Sequence, residues 1–312
     1  MTPSVGGLLV LCKKVTKAVL LFAFPDRLFH TVRYLIKQVR IPNLTRPSTF
    51  SEKVLCKMLF DRNELLPIIS DKLAVRDFVR ARVGSAILTE IYAVYDSDIE
   101  IRLDDLPDKF VLKANHGSNF NYFVESVAYK IPEIIAPCTR KWLTTNYGLQ
   151  NGEWAYKSIH PKIFAEEYLE PEGNDLIGYN IFCFDGEPKF LKVLVGDKLC
   201  RRSRYFDLNW NTYQVADQHQ LNFPRNMVPR PENLAEMLEI SRLLSRGFDF
   251  LRVDLYNIRN RIVFGELTSY PSAAAQRIYP REYDYKFGSY WNVDSMTYLP
   301  VKRKLSANLR VS

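Results

Sequence analysis

The sequence predicts an α+β fold built on antiparallel hairpins, and three observations predict it. Ile177–Phe184 and Lys189–Val195 read as strands joined at Asp185-Gly186, a dipeptide that tolerates the left-handed backbone of a tight hairpin turn. A second pair of strand-like runs lies within Phe250–Tyr270, on either side of the polar stretch Asn257–Arg261. Helical patterns with one apolar face fall between the strands, at Asp71–Arg82, Pro132–Tyr147 and Glu232–Arg246.

A chain of 312 residues exceeds one small core and fits one large or two to three interlocked domains. At 47% hydrophobic and 25% charged it falls among globular chains. The net charge of +8 is uneven: residues 1–46 carry eight Lys or Arg against Asp26, and residues 301–312 carry four against no acid. The ends therefore hold +11, and the middle about −3 by difference. A nucleic-acid-binding domain spreads its basic patch over the folded core. Charge confined to the ends points instead to an anionic surface such as a membrane leaflet. Cys12, Cys56, Cys138, Cys183 and Cys200 are odd in number, with no C-x-x-C pair. That indicates neither a zinc site nor a disulfide framework and implies single buried thiols in a reducing compartment.

In chain order, residues 6–24 pattern as an amphipathic helix. Leu8, Leu11, Cys12, Val15, Ala18, Val19 and Phe22 share one face, and Lys13, Lys14 and Lys17 the other. The lysines break the apolar run below the ~20 residues of a membrane span and break a signal-peptide core. The helix either lies in a membrane interface or packs on the domain. After a break at Pro42–Pro47, Ser48 or Ser51 is expected to cap a helix through Glu52–Phe60. Ser70 is expected to cap Asp71–Arg82, stopped by Gly84, with Asp71, Lys72 and Arg76 as a helix-face charge set. Ala86–Tyr95 reads as a strand, and Phe110–Leu112 as a short one ending in Lys113. The loop Asn115-His116-Gly117-Ser118-Asn119 follows. It is either a phosphate cradle of backbone N–H groups beside a lysine or a plain surface turn. Lys162–Leu169 alternates as a strand ending near the paired acids Glu166 and Glu167, and Lys192 lies on the strand after Asp185-Gly186. Glu232–Arg246 turns Leu234, Met237, Leu238 and Ser241 inward and stops at Gly247.

The hairpin within Phe250–Tyr270 carries the sharpest chemistry. Alternation sets Arg252, Asp254 and Tyr256 on one face and Leu251, Val253 and Leu255 on the other. A three-residue loop at Arg259–Arg261 would pair Ile258 with Ile262, Asp254 with Glu266 and Arg252 with Thr268. Opposed carboxylates about 5 Å apart repel. Either a divalent cation with hard oxygen ligands, Mg²⁺ for choice, lies between them, or the face is bathed in water.

The order of PSTFSEK, SDKLAVRDFV, FVLKANHGS, AEEYL, FCFDGEPKFLKV, FDLNWN, FDFLRVDLY and FGELTSYP resembles the TupA-like branch of the ATP-grasp ligases. The likeness covers roughly residues 40–290. It implies an ATP-grasp fold, in which two α+β subdomains with antiparallel sheets grip ATP, with the N-terminal amphipathic helix outside it. The division expected is a basic N-terminal segment 1–45, a helical/αβ region 46–108, a nucleotide-binding subdomain 109–170, a C-terminal subdomain with the metal hairpin 171–290 and a basic tail 291–312.

The resemblance also implies roles. Lys113, His116, Gly117 and Ser118 would meet the nucleotide phosphates, and Glu166, Glu167, Tyr168 and Leu169 the adenine, with Glu166 or Glu167 accepting from its amino group. Asp254 and Glu266 would hold Mg²⁺, while Arg252 and Lys192 would be catalytic. The implied activity is an ATP- and Mg²⁺-dependent carboxylate–amine ligation through an acyl-phosphate. Its acceptor would be a uronic-acid carboxylate on a free or lipid-linked bacterial surface glycan, and a separate amine donor would be needed. The implied location is cytoplasmic, peripheral on the inner face of the membrane. The chain departs from the family pattern at Asn180, where a lysine is expected, at Asn119, where glycine is usual, and at Ser272-Ala-Ala-Ala275, where a glycine-containing segment is usual. Lys192 either replaces the missing lysine or does not. These departures keep two alternatives in view: a catalytically impaired nucleotide- or glycan-binding scaffold, and a polysaccharide-biosynthesis glycosyltransferase.

Overall fold

The computed structural model describes residues 26–171, 173, 175–196, 202–217, 223–224, 227–293 and 297–298. The amphipathic pattern at 6–24 and the basic tail from 301 lie outside these residues. Four helices come first: α1 (Asp26–Gln38), α2 (Phe50–Phe60), α3 (Leu65–Ser70) and α4 (Val75–Val83). The cap of α2 is Thr49 rather than Ser48 or Ser51, because Thr49 and Glu52 close a reciprocal capping box. The helix expected over Asp71–Arg82 starts late, at Val75. Asp71 Oδ1 accepts from the backbone of Leu73 and Ala74, so its side chain shapes a turn between α3 and α4.

The first sheet contains β1 (Ile91–Tyr95), β2 (Phe110–Ala114), β3 (Asn121–Val124) and β4 (Ile163–Glu167), in the order β1-β4-β2-β3. Helix α5 (Pro132–Leu143) lies over it and α6 (Tyr147–Asn151) follows. The expected Pro132–Tyr147 helix therefore ends early, and Asn146 caps the next by accepting from Leu149 N–H. This sheet has its own core of Phe110, Leu112, Val124, Ile135, Trp142 and Ile163.

The second sheet contains β5 (Gly178–Phe184), β6 (Glu187–Val195), β7 (Arg202–Asp207), then β9 (Phe250–Ile258) and β10 (Arg261–Thr268). Its order is β10-β9-β5-β6-β7, antiparallel throughout. A short β8 (Ala216–Asp217) pairs with β11 (Ile278–Tyr279), and α7 (Leu234–Ser245) and α8 (Glu282–Ser289) complete the fold. One face of the second sheet, with Ile181, Cys183, Leu251 and Val253, packs under α7, where Cys183 Sγ meets Ser241 O at 3.8 Å. The other face is divided. At one end Phe182, Phe184, Phe190 and Phe250 are roofed by Phe50 of α2 and Phe287 of α8, with the Phe190 and Phe287 rings stacked at 4.0 Å. At the other end the face is polar.

The stretch 46–108 is shared between the two cores. Val54, Leu66 and Val79 join the cluster of the second sheet, whereas β1 joins the first sheet. Two further links tie the sheets together: Phe264 N–H donates to Ile87 O at 2.7 Å, and Arg261 pairs with Glu167 at 2.6 Å. Arg40 also reaches Thr49 Oγ1 at 2.8 Å, so the capping box holds the α1–α2 connection as well. We expect Thr49→Ala to lower stability by about 1–2 kcal/mol, measured by chemical denaturation against the unaltered chain.

Candidate active site

The β9–β10 hairpin closes in two residues, not three. Arg259 (φ 51°) and Asn260 (φ 64°) are both left-handed, as a type I′ turn requires. Ile258 therefore pairs with Arg261. A bulge at Gly265 then moves the register by one, and Asp254 lies opposite Glu266 and Arg252 opposite Thr268 after all. Unbroken alternation from Phe264, which pairs with Leu255 on the apolar face, would send Glu266 to that same face. The bulge turns it to the polar one. Glycine suits the position, because a Cβ there would meet Asp254 O at 3.0 Å.

Arg252 fills the space between the carboxylates. Its Nε donates to Asp254 Oδ1 at 2.7 Å, and its Nη2 to Asp254 Oδ2 at 2.5 Å, Glu266 Oε1 at 3.2 Å and Thr268 Oγ1 at 3.0 Å. One cation does not balance two acids. Burial, with Glu266 adding to it and Arg252 opposing, pushes Asp254 from its ordinary 3.8 up to about 7. Glu266 is also penalised by burial, but Lys72 and Arg252 outweigh this and hold it below the usual range. The pair thus retains a proton near neutrality. Among the described residues no group of three or more His, Cys, Asp or Glu is arranged to hold a metal. Two carboxylates with hard oxygens still fit Mg²⁺, which takes one or two protein carboxylates and completes its shell with phosphates and water.

Lys113 on β2 pairs with Glu166 on β4, and Glu166 Oε2 accepts from Thr89 Oγ1 at 3.0 Å. Burial works against the Lys113 charge, but Glu166 and the surrounding groups, Glu266 among them, outweigh it and raise its pKa. Glu167 turns the other way and forms the two-point contact with Arg261 at 2.6 and 3.0 Å, which lowers its pKa. Tyr168 and Leu169 follow, both half-buried.

The polar loop 115–119 divides in role. His116 is buried, with Nε2 facing the carbonyls of Trp142 and Thr145 at 3.1 Å and Nδ1 facing Asn115 Oδ1 at 3.3 Å. Its ring pins the loop to the end of α5, so both nitrogens are spoken for. Ser118 is exposed, and the Gly117 carbonyl accepts from Lys72 Nζ.

Lys72 is expected from the sequence to belong to a helix-face charge set, and the structure corrects this: it lies in a turn. The turn built by Asp71 sets Lys72 against the loop, its N–H donating to Asn115 O at 3.1 Å. Burial depresses its pKa, with Glu266 opposing and Lys113 adding to the depression. The sequence signal was available in Ser-Asp-Lys followed by Asn115, but only as a turn, not as a helix start.

Across the second sheet the polar row reads Glu266, Asp254, Asn180, Lys192, Tyr205. Lys192 lies directly opposite Asn180, is buried, and holds its ammonium 5.5 Å over the Tyr205 ring. Beyond β10, Ser272, Ala273 and Ala274 are left-handed in succession at φ 51°, 46° and 59°, a strain of about 1–3 kcal/mol per residue. Gln38 Nε2 of α1 ties this run down, donating to Ala274 O at 3.0 Å and Gln276 O at 2.8 Å.

The sequence family described as TupA-like ATPgrasp matches residues 52–292. No curated protein sequence matches the chain. Among solved structures, the ATP-grasp ligase PsnB complexed with minimal precursor is similar at 11% identity and TM-score 0.38, covering 68% of this chain and 55% of that one. N5-carboxyaminoimidazole synthetase from Staphylococcus aureus complexed with ADP is similar at 12% identity and TM-score 0.38, covering 65% and 45%. D-alanine–D-alanine ligase from Bacillus anthracis is similar at 15% identity and TM-score 0.40, covering 90% and 75%. The chain spans about half the length of the first two.

The retained proton has a stability consequence. Because the folded Asp254 holds a proton that the unfolded chain releases, stability falls as pH rises from 3.8 through about 7. We expect Asp254→Asn to flatten the decline in Tm between about pH 5 and pH 8, read by thermal scans in matched buffers. An unchanged slope would place the pH dependence elsewhere.

Proposed function

The chain belongs to the TupA-like ATP-grasp family, and we propose on that basis that it is an ATP- and Mg²⁺-dependent ligase joining a carboxylate to an amine. The observation that carries this reading is that Glu266 of the Asp254–Glu266 pair acts on both Lys113 of the first sheet and Lys72, which is held against the loop that follows β2. A triphosphate between the sheets would meet the two ammonium groups, and Lys113 would exchange Glu166 for phosphate oxygens. Ser118 and the Gly117 backbone would close over the phosphates, while His116 holds their loop. Glu166, with Tyr168 and Leu169, borders the adenine side, and Glu167 keeps that strand end tied to Arg261. Asp254 and Glu266 would hold Mg²⁺, which when bound would neutralise developing phosphate charge. Arg252 and Lys192 would offset charge on the reacting carboxylate and the transferred group.

The chemistry follows from how poor an electrophile a carboxylate is. One carboxylate oxygen attacks the γ-phosphorus and ADP leaves. The amine nitrogen then attacks the acyl carbon, phosphate leaves with the former carboxylate oxygen, and the amine loses a proton. Positioning and charge neutralisation do most of this. For the acceptor we propose a uronic-acid carboxylate of a bacterial surface glycan, free or lipid-linked, as the order of motifs suggests. Among the described residues no helix is long and apolar enough to cross a membrane. Peripheral attachment is supported by α1 and the turn after it, where Ile36, Val39 and Ile41 are 66%, 71% and 79% exposed beside the exposed Lys37.

Two experiments test the reading. Phosphate release in the presence of oligogalacturonate and an amine should require Mg²⁺. It should fall by about 100-fold or more in Asp254→Asn, and Lys113→Met should weaken ATP binding about tenfold or more. Equal turnover in Asp254→Asn would remove the metal assignment. ATP binding that no acid converts to turnover would favour the scaffold, and consumption of a sugar nucleotide without ATP a glycosyltransferase. Separately, Ile36→Glu/Val39→Glu should reduce co-sedimentation with phosphatidylglycerol vesicles, and wild-type binding should weaken with salt. Equal sedimentation of variant and wild type would sink the interfacial reading.

A further inference from the structure

Helix α1 carries two stripes that face opposite ways. Leu28, Val32, Leu35, Ile36 and Val39 recur at the spacing of one helical face, and all but the half-buried Val32 are exposed. Exposed Arg27, Lys37 and Arg46 accompany them, and from Arg27 to Arg46 the chain has five basic residues and no acid. The opposite stripe, His30, Arg33, Tyr34 and Gln38, is turned into the protein, where it makes two separate attachments. At one end His30 Nε2 donates to Gly152 O at 2.9 Å. Gly152 is left-handed at φ 68°, and a Cβ there would collide with the His30 ring. Beside it Arg33 faces Glu153 and Tyr147, which oppose the lowering of its pKa by burial. At the other end Gln38 donates to the carbonyls of Ala274 and Gln276, and Arg277 Nε donates to Lys37 O. His30 precedes Gln38 by eight residues, about 12 Å along the helix.

The first attachment leads to the polar loop after β2. Gly152 caps the end of α6, and Tyr147 begins that helix. The Tyr147 side chain is hydrogen-bonded to Ser118, and a Cβ on Gly117 would meet its ring at 2.9 Å. Helix α6 has little slack to absorb a displacement. A Cβ on Gly148 would fall 2.6 Å from the backbone nitrogen of Lys157, and the Tyr147 and Tyr156 rings meet edge to face at 5.0 Å. The second attachment leads back along the chain to β10, which carries Glu266. We propose that α1 is a clasp through which an anionic bilayer regulates the cleft, so that binding of the bilayer and binding of Mg²⁺·ATP strengthen each other. This rests on the readings of the cleft as an ATP site and of α1 as the point of peripheral attachment, and adds that the two are coupled. The sign follows from preorganisation. Docked on the protein, the thirteen residues of α1 offer lipid a finished apolar stripe, whereas a free helix of that length is marginal in water. Lipid therefore favours the docked helix, and docked α1 seats Tyr147 against the loop that closes over phosphate. ATP, by ordering that loop, favours the same state, and linkage makes the two effects equal.

The test reads the coupling itself. Mg²⁺·ATP affinity of the full chain is measured by calorimetry in solution, with phosphatidylcholine vesicles and with vesicles containing phosphatidylglycerol. Co-sedimentation with the phosphatidylglycerol vesicles is measured with and without Mg²⁺·ATP. These vesicles should tighten Mg²⁺·ATP binding about fivefold or more, and Mg²⁺·ATP should tighten vesicle binding by the same factor. Tyr147→Phe, which removes the hydroxyl and keeps the ring, and Gln38→Ala should each abolish most of that gain while leaving vesicle binding without nucleotide unchanged. Either variant is sufficient if the other does not fold. Ile36→Glu/Val39→Glu should abolish the gain by abolishing vesicle binding, with Mg²⁺·ATP affinity in solution unchanged. Sedimentation with vesicles at an unaltered Mg²⁺·ATP affinity would overturn the clasp and leave both attachment and ATP site standing. Absence of sedimentation would remove the attachment reading, and absence of ATP binding under every condition the ATP reading, each taking the clasp with it. A gain retained in full by either folded variant, or an equal gain on phosphatidylcholine alone, would also overturn the clasp.

Discussion

Two carboxylates set opposite each other on a sheet cannot stay charged without a cation between them, and here Arg252 takes that position. The guanidinium comes from two residues before Asp254 on the same strand, so it reaches both acids only if Glu266 lies on the same face. That condition falls on Gly265, whose bulge turns Glu266 to that face. The triad is still one positive charge short. A proton on Asp254 supplies part of the difference, and Lys72 and Lys113 act on Glu266 from the opposite wall. The electrostatics of one sheet are therefore completed by residues anchored to the other, which gives the two-sheet arrangement an electrostatic reason as well as a packing one.

The same face also has to end somewhere. Charges are expensive beside dry aromatic packing, and the face changes character within one residue pair, from Arg252 to its cross-strand neighbour Phe182. From there Phe184, Phe190 and Phe250 pack under Phe50, Phe287 and Trp291. Trp291 and Tyr298 both donate to Asp249, whose other oxygen meets Lys57 at 2.5 Å. The roof is thus fastened by a part-buried ion pair as well as by ring contacts, which keeps the boundary between apolar and polar halves in one place.

Much of this was legible in the sequence because it depends on alternation. Arg252, Asp254, Glu266 and Thr268 were assigned to one face, and the structure puts them there, although the loop was read one residue too long. Two local features cancelled: a two-residue turn needing left-handed Arg259 and Asn260, and a bulge at a glycine. Periodicity sees neither, since each changes a single residue. Lys72 was missed for a related reason. Ser-Asp at the start of an apolar pattern signals a helix cap, and only the contact with Asn115, forty-three residues on, makes it a turn at the cleft. The cap of α2 was assigned to serines on either side of the residue that fills it, because Ser48, Thr49 and Ser51 are chemically alike and Glu52 selects among them by distance along the backbone.

Asn180 shows how a departure at one position reads differently once register is known. In a list of residues, an asparagine where the resemblance leads one to expect a lysine is a gap. On the sheet, position 180 on β5 and position 192 on β6 are direct cross-strand neighbours that project from the same face, with Cβ atoms about 5 Å apart. A lysine side chain is longer than that separation, so an ammonium launched from either strand can reach the same region of the face. The asparagine leaves room that a second lysine would contest by charge repulsion. The three left-handed residues beyond β10 are likewise held by a distant element: Gln38 of α1 donates to the carbonyls of Ala274 and Gln276 at the end of the run, and the small alanine side chains intrude least.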